Sequence, residues 1–160
     1  MVRFKSRYLL CEISFASPNG WQHVDEKKLH RAILEAIQKV HGDFGVACCA
    51  VSFAVKYLNT YTGILLLRCR KAHYRLLWST LAFIHQLGKK ETCVITCIHV
   101  GGTIRTCQKF LIGYNKQQLL RKLPACKSEA ERTALQEAVR SCSLKELQED
   151  VVSASEEDSN

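Results

Sequence analysis

The segment 101–109, GGTIRTCQK, is the part of the sequence best suited to bind an anion. Its two glycines allow close approach of a backbone to a ligand, and Thr103 can cap a helix whose first free N–H groups attract phosphate. Alone, a glycine turn or a basic helix face is usually structural or solvated. Here the turn is followed by three cations at helical spacing, in a part of the chain with a large positive charge. The residues assigned to phosphate binding are Gly101, Gly102, Thr103, Arg105, Lys109 and Lys116.

A second group of cations lies on predicted strands. Basic residues alternate along residues 3–7, and two more share one side of the run 61–70 with apolar neighbours. Cations on an otherwise apolar strand face are seldom there for packing, and phosphate is a partner that fits their charge. The strand-borne residues assigned to RNA contact are Arg3, Lys5, Arg7, Lys56, Arg68 and Arg70.

The sequence offers little for catalysis or for metal binding. It contains no nucleophile elbow, H-E-x-x-H, P-loop or paired-carboxylate pattern, and two-metal nuclease chemistry needs clustered acids. Cys93, Cys97 and His99 would share a face of one strand, but structural zinc sites use tightly spaced ligands in turns. We therefore expect no catalytic residue, no metal site and no cofactor bound by this chain, and we expect buried thiols.

Charge divides the chain into two parts. The net charge of the 160 residues is +8, but residues 1–127 carry 20 Lys+Arg against 6 Asp+Glu, whereas residues 128–160 carry 3 against 9. A body at +14 attracts polyanions by counterion release. From charge alone, RNA, DNA or an anionic membrane are the candidate partners, and no apolar run is long enough to span a membrane. Among these candidates we expect RNA and no membrane partner. We predict one RNA-binding and assembly domain over 1–143 and an acidic, disordered tail over 144–160, with Ser153 and Ser155 as candidate phosphorylation sites.

The apolar periodicity predicts the elements that would carry these residues. Strands are predicted at 7–14, 45–58, 61–70 and 93–100, and helices from 25 to 41, from 71 to 87, from about 103 to 123 and from 129 to 140. The second and third strands would pair through a turn near Asn59 and form the centre of the sheet. The order βαββαβ predicts an α+β fold, an RNA-recognition-motif-like (ferredoxin-like) α/β sandwich with extra C-terminal helices.

Such a sandwich leaves one sheet face without helices. That face would be apolar here, which predicts contact with a protein partner or coverage by the third helix. The run 61–68, YTGILLLR, lacks the aromatic signature with which RNA-recognition motifs stack bases. Base stacking on the sheet is therefore not expected, and recognition of RNA shape and backbone is the better hypothesis.

Four stretches resemble a known family: MVRFKSRYLLCEI (1–13), KVHGDFG (39–45), FAVKYLNTYTGILLLRCRK (53–71) and HVGGTIRTCQKFLIGYN (99–115). They are similar to the Pop-five family, in its animal form, of protein subunits shared by ribonuclease P and ribonuclease MRP. The resemblance implies the same sandwich fold with added C-terminal helices. It also implies location in the nucleus and nucleolus.

The resemblance further implies partners and a division of labour. The partners would be the catalytic RNA, precursor tRNA in the holoenzyme, a TIM-barrel-like subunit of about thirty kilodaltons and a related fourteen-kilodalton subunit. The RNA would use Mg²⁺ to remove the 5′ leader of precursor tRNA or to process precursor rRNA. This chain would then be an enzyme component without an active site.

The expected function is therefore a non-catalytic subunit that binds and stabilises the catalytic RNA and docks other subunits. A protein–protein scaffold whose basic surface meets an acidic partner is the alternative from a different class. A stand-alone nuclease is a third hypothesis, which metal-dependent cleavage by the protein alone would support.

Overall fold

The computed structural model describes residues 3–87 and 91–141, and within them it forms an α+β fold. Contacts divide the chain into two compact units, Met1–Cys107 and Gln108–Asn160. The strands are β1 (Ser6–Phe15), β2 (Ala54–Asn59), β3 (Ile64–Arg70), β4 (Gln86–Leu87) and β5 (Glu91–Gly101). The helices are α1 (Glu26–Ala50), α2 (Tyr74–Leu81), α3 (Ile104–Lys122) and α4 (129–141). The α+β class is thus confirmed, whereas a single domain over 1–143 stays a prediction.

The strands form one antiparallel sheet in the order β2-β3-β1-β5-β4. The predicted hairpin is present, since the Gly63 N–H donates to the Asn59 carbonyl at 2.9 Å. Its predicted place at the centre of the sheet is wrong: β2 lies at an edge, and β1 pairs with both β3 and β5. The central strand is therefore β1, and its two partners, β3 and β5, come from distant parts of the chain.

The hydrophobic core lies between the sheet and the first two helices. From α1, Leu29, Ile33 and Ile37 recur at helical spacing and are fully buried. They pack in one cluster with alternate residues of the strands, among them Leu9 and Leu67.

The second face of the sheet carries the apolar residues Leu10, Ile64 and Leu66, which are also buried, and the cations Arg68 and Arg70 toward one end. Its contact with a protein partner stays a prediction.

The first helix is longer than the sequence suggested. The prediction of a helix end at His41-Gly42, with a strand from residue 45, is wrong. Gly42 has non-helical angles (φ 65°, ψ −161°), but α1 resumes beyond this kink and continues to Ala50. Gly45 and Cys49 are buried four residues apart, which is helical spacing. The prediction failed because residues 45–50 are small and apolar on every side, a pattern that fits a strand as well as a helix.

The second helix is shorter than predicted. It ends at Leu81 rather than near 87, and the following residues turn and add β4 to the edge of the sheet. The Cys93 N–H donates to the His85 carbonyl at 2.9 Å as this pairing begins. Leu81, Ile84 and Leu87 are all buried and recur every three residues, so their spacing imitates a helix. The element order therefore contains a short strand that βαββαβ lacks.

We expect Gly63→Ala to destabilise the chain more than Gly42→Ala. Both glycines have positive φ, 73° and 65°, and Gly42 also has ψ −161°, a region essentially restricted to glycine, so a Cβ atom there costs about 1–3 kcal/mol. A Cβ at Gly63 would also lie 2.6 Å from the Ile13 carbonyl oxygen, whereas nothing lies within 4 Å of one at Gly42. Urea unfolding should show a loss of about 1–3 kcal/mol for Gly42→Ala and a loss larger by about 1–3 kcal/mol for Gly63→Ala, which adds the crowding. Equal losses would contradict the crowding at Gly63.

Candidate nucleic-acid interface

The turn between β5 and α3 has the cap that the sequence predicted. The Thr106 N–H donates to Thr103 Oγ1 at 3.2 Å, and the two threonine hydroxyl oxygens are 2.6 Å apart. A Cβ at Gly101 would lie 2.8 Å from Cys107 Sγ, so this position needs glycine. Cys107 Sγ in turn lies 3.7 Å from the Tyr8 carbonyl oxygen, to which it donates. The start of α3 is therefore held against the central strand.

Removing the cap should destabilise α3 measurably. Thr103→Val keeps the shape of the side chain but removes the oxygen that accepts the Thr106 N–H. We expect a loss of about 1 kcal/mol in the free energy of unfolding, the usual cost of losing an N-cap. Thr103→Ser, which keeps the hydroxyl, is the matched control in the same thermal unfolding experiment. A loss as large for serine as for valine would show that the hydroxyl is not responsible.

A groove of about 630 Å³ lies where the N-terminal segment meets this turn. Its walls come from three parts of the sequence: residues before and at the start of β1, one residue of β3, and the turn before α3. Among the described residues, no carboxylate lines it, so its charge is positive. The lining residues are Arg3, Phe4, Lys5, Ser6, Arg7, Tyr8, Arg68, Gly102, Thr103 and Ile104.

Hydrogen bonds hold two of the arginines in place. Arg7 Nη1 donates to the Ser6 carbonyl at 3.3 Å, and a Cβ at Gly102 would lie 3.4 Å from the same nitrogen. Arg68 Nε donates to Ser6 Oγ at 3.3 Å. A guanidinium has five N–H donors, so each arginine keeps donors for a ligand. The neighbouring N–H donors of one guanidinium suit phosphate, which accepts such bonds in pairs.

The pairing register places Arg68 and Arg70 on the sheet face opposite Arg7. Arg68 stands across from Tyr8 and Arg70 across from Ser6, and residues directly opposite in an antiparallel pair share a face. Arg70 is not a lining residue. Arg70 does contact a lining residue, because its guanidinium carbon lies 4.3 Å from the ring centre of Phe4.

The structure does not bring every predicted contact residue to the groove. Lys56 is exposed on the edge strand β2, at an irregularity between Val55 and Tyr57. Arg105 is exposed in the first turn of α3, and Lys109 and Lys116 lie further along the same helix, where helical spacing puts all three on one side. Ser153 and Ser155 lie outside the described residues.

Four lining residues were missed by the sequence analysis. One is Ile104, the first residue of α3, and the others are Phe4, Ser6 and Tyr8. The latter three alternate with the cations of residues 3–7, so they would be assigned to the opposite face of an extended strand. The signal was their position between basic residues. Strand alternation could not place Phe4, because β1 begins only at Ser6.

The cysteines and histidine weighed as zinc ligands do not come together. Cys97 pairs with Cys11 and His99 with Leu10, and the register shift between these two pairs puts Cys97 and His99 on opposite faces of the sheet. Cys93 and Cys97 share a face as predicted, but the prediction that His99 lies on it is wrong. Burial also raises the pKa of the Cys93 thiol to about 11, so it carries its proton at neutral pH. Within 3–87 and 91–141, no cluster of three side chains suitable for a metal occurs.

No helix in the described part of the chain is long and apolar enough to cross a membrane.

A family model described as the Rpp14/Pop5 family matches residues 7–112. The chain belongs to the Rpp14/Pop5 family. The resemblance drawn from the sequence is thereby confirmed. The matched residues run from β1 into α3 of this Rpp14/Pop5 protein, and they include six of the ten residues that line the groove; residues 3–6 precede the match.

Relatives extend the match over nearly the whole chain. The ribonuclease P/MRP protein subunit POP5 of Homo sapiens is 52% identical, over 98% of this chain and 98% of its own length. The POP5 subunit of Danio rerio is 49% identical, over 99% of this chain and 96% of its own. A chain in the cryo-EM structure of yeast ribonuclease MRP aligns over 74% of this chain and 96% of its own, with a TM-score of 0.49 and 11% identity.

Proposed function

We propose that this chain is a non-catalytic protein subunit of ribonuclease P and ribonuclease MRP, which binds and stabilises the catalytic RNA and docks other subunits. The observation that carries the proposal is the groove: Arg3, Lys5, Arg7 and Arg68 meet the capped turn of α3 with no carboxylate among the described lining residues. Relatives named as ribonuclease P/MRP protein subunits support the choice of this RNA as the proposed ligand.

The mechanism we propose is neutralisation of phosphates that RNA folding crowds together. The groove's lysine and arginine side chains replace counterions, and the N–H groups at the start of α3 add a fixed partial positive charge. We also propose that the cations along α3, Lys56 and Arg70 contact RNA phosphates. Contacts of this kind fix the position of an RNA without reading its sequence. Bond cleavage, with its Mg²⁺, is left to the RNA.

The remaining parts of the proposal concern the assembly. We propose an RNA-recognition-motif-like arrangement of the long strands and helices, a TIM-barrel-like subunit and a related fourteen-kilodalton subunit as protein partners, and precursor tRNA as substrate of the holoenzyme. Removal of 5′ leaders and processing of precursor rRNA place the assembly in the nucleus and nucleolus. The surface proposed for protein contact is the uncharged, apolar part of the second sheet face, away from Arg68 and Arg70.

The test is to identify the RNA that copurifies with the full chain from cells and to release it with salt. Recovery of the ribonuclease P and MRP RNAs, and direct binding of those transcripts by the purified chain with steep salt dependence, would support the proposal. Recovery of acidic proteins without RNA, with no binding of structured transcripts at low salt, would favour the scaffold and overturn it. Metal-dependent cleavage by the chain alone would show a nuclease instead.

A further inference from the structure

An aromatic ring stands open at the edge of the basic groove. Phe4 lies two residues before β1 begins, so it is outside the sheet. The guanidinium of Arg70 covers one face of its ring, 4.3 Å from the ring centre. The side chain nevertheless remains 71% exposed, so the other face of the ring is open to a ligand.

An exposed phenylalanine alone would carry no meaning, because scattered apolar residues are normal on protein surfaces. The surroundings of Phe4 are what distinguish it. Its sequence neighbours Arg3 and Lys5 line the same groove, together with Arg7 and Arg68. A ligand that enters meets cations for its negative charge and, beside them, a flat apolar surface.

Few ligands use both features. A free phosphate or an acidic peptide would satisfy the cations but would leave the ring unused. A regular duplex presents phosphates, but its bases are stacked on each other and cannot reach an aromatic side chain. Unpaired nucleotides offer both an anionic backbone and a free base, and proteins commonly bind them with aromatic side chains beside cations.

We propose that Phe4 stacks the base of one unpaired nucleotide of the bound RNA, while Lys5 and Arg68 contact the phosphates next to it. This rests on the proposed function only in taking RNA as the ligand. Arg70 is a positioning residue: its contact with one face of the ring restrains Phe4 and leaves the other face for the base. The run 61–68 lacks a stacking signature, but the stacking proposed here lies before β1 and does not use the sheet.

A photocrosslinking experiment tests the position directly. The full chain is bound to an RNA stem–loop that carries one 5-iodouridine in its loop, irradiated, and digested for mass spectrometry. We expect the cross-linked peptide to contain Phe4. A cross-link confined to Tyr8, or to residues outside the groove, or no cross-link despite binding, would overturn the assignment to Phe4.

Affinity measurements test the chemistry. Phe4→Leu should weaken binding of the stem–loop about tenfold, because base stacking on an aromatic is lost, while the slope of log affinity against log salt stays the same. Phe4→Trp should retain the affinity. An abasic site in place of the loop nucleotide should weaken binding by the wild-type chain by the same factor. It should not weaken binding by the Phe4→Leu variant any further. Phe83→Leu, at another exposed phenylalanine that does not line the groove, is the matched control.

The outcomes separate this inference from the function on which it rests. Base stacking would be overturned if Phe4→Leu bound the stem–loop as tightly as the wild type. It would also be overturned if Phe4→Leu lost as much affinity for the abasic RNA as for the intact stem–loop. If variants that remove the groove's cations still lost RNA binding, the proposed function would stand. If the wild-type chain bound neither stem–loop nor abasic RNA at low salt, both would fall.

Discussion

Simultaneous replacement of Arg3, Lys5 and Arg68 with glutamine should weaken binding of the full chain to ribonuclease P RNA by about 100- to 1000-fold near 0.1 M salt. The three side chains line one groove without a described carboxylate beside them. Each lost phosphate contact removes the release of about one counterion, so the losses multiply and the salt slope should fall by about three. Filter binding over a series of salt concentrations measures both quantities.

A matched variant guards against a general effect of charge. Lys27, Arg31 and Lys39 are exposed on α1 and none lines the groove, so their joint replacement with glutamine removes the same net charge elsewhere. We expect that control to lose less than about tenfold, since it removes only long-range attraction. If both triple variants lost affinity equally, the groove would have no special part in RNA binding. Circular dichroism of both variants checks that they fold.

Leu9→Ala should have the largest effect on stability. Leu9 is fully buried on the central strand, where it stands opposite Leu67 in β3 and Val100 in β5. A Leu→Ala change at such a site costs about 2–5 kcal/mol, a large part of the roughly 5–15 kcal/mol that stabilises a domain. The midpoint of thermal unfolding should therefore fall by at least about 10 °C.

Val94→Ala is the comparison for this variant. Val94 lies in β5, which also pairs with β1, but its side chain is 59% exposed. We expect its free energy of unfolding to change by no more than about 0.5 kcal/mol. If Leu9→Ala unfolded at the same temperature as Val94→Ala, the core would not be centred on β1.

Local sequence was sufficient for elements whose signals lie within a few residues. The cap of α3 depends on Thr103 and Thr106, three residues apart, and the hairpin on Asn59 and Gly63, four apart. Charge is a local property too, so the basic character of residues 1–127 could be counted. The family could be found because its stretches are continuous.

The same local signals failed where two structures satisfy one pattern. Residues 45–50 are small and apolar on every side, which suits a strand as well as the helix they form. Leu81, Ile84 and Leu87 have helical spacing, yet α2 ends at Leu81 and Leu87 lies in the short strand β4. Packing against the core decides such cases, and packing is not visible in a window of sequence.

By itself, the sequence determined the α+β class, the family, the cap at the start of α3 and the excess of positive charge. Only the tertiary structure decided that residues 3–8, Arg68 and the turn at 102–104 form one groove, that Phe4 is presented beside it, and that Cys97 and His99 point apart. The reason is strand pairing. Register joins residues more than sixty positions apart, and a shift of one residue turns a side chain to the other face.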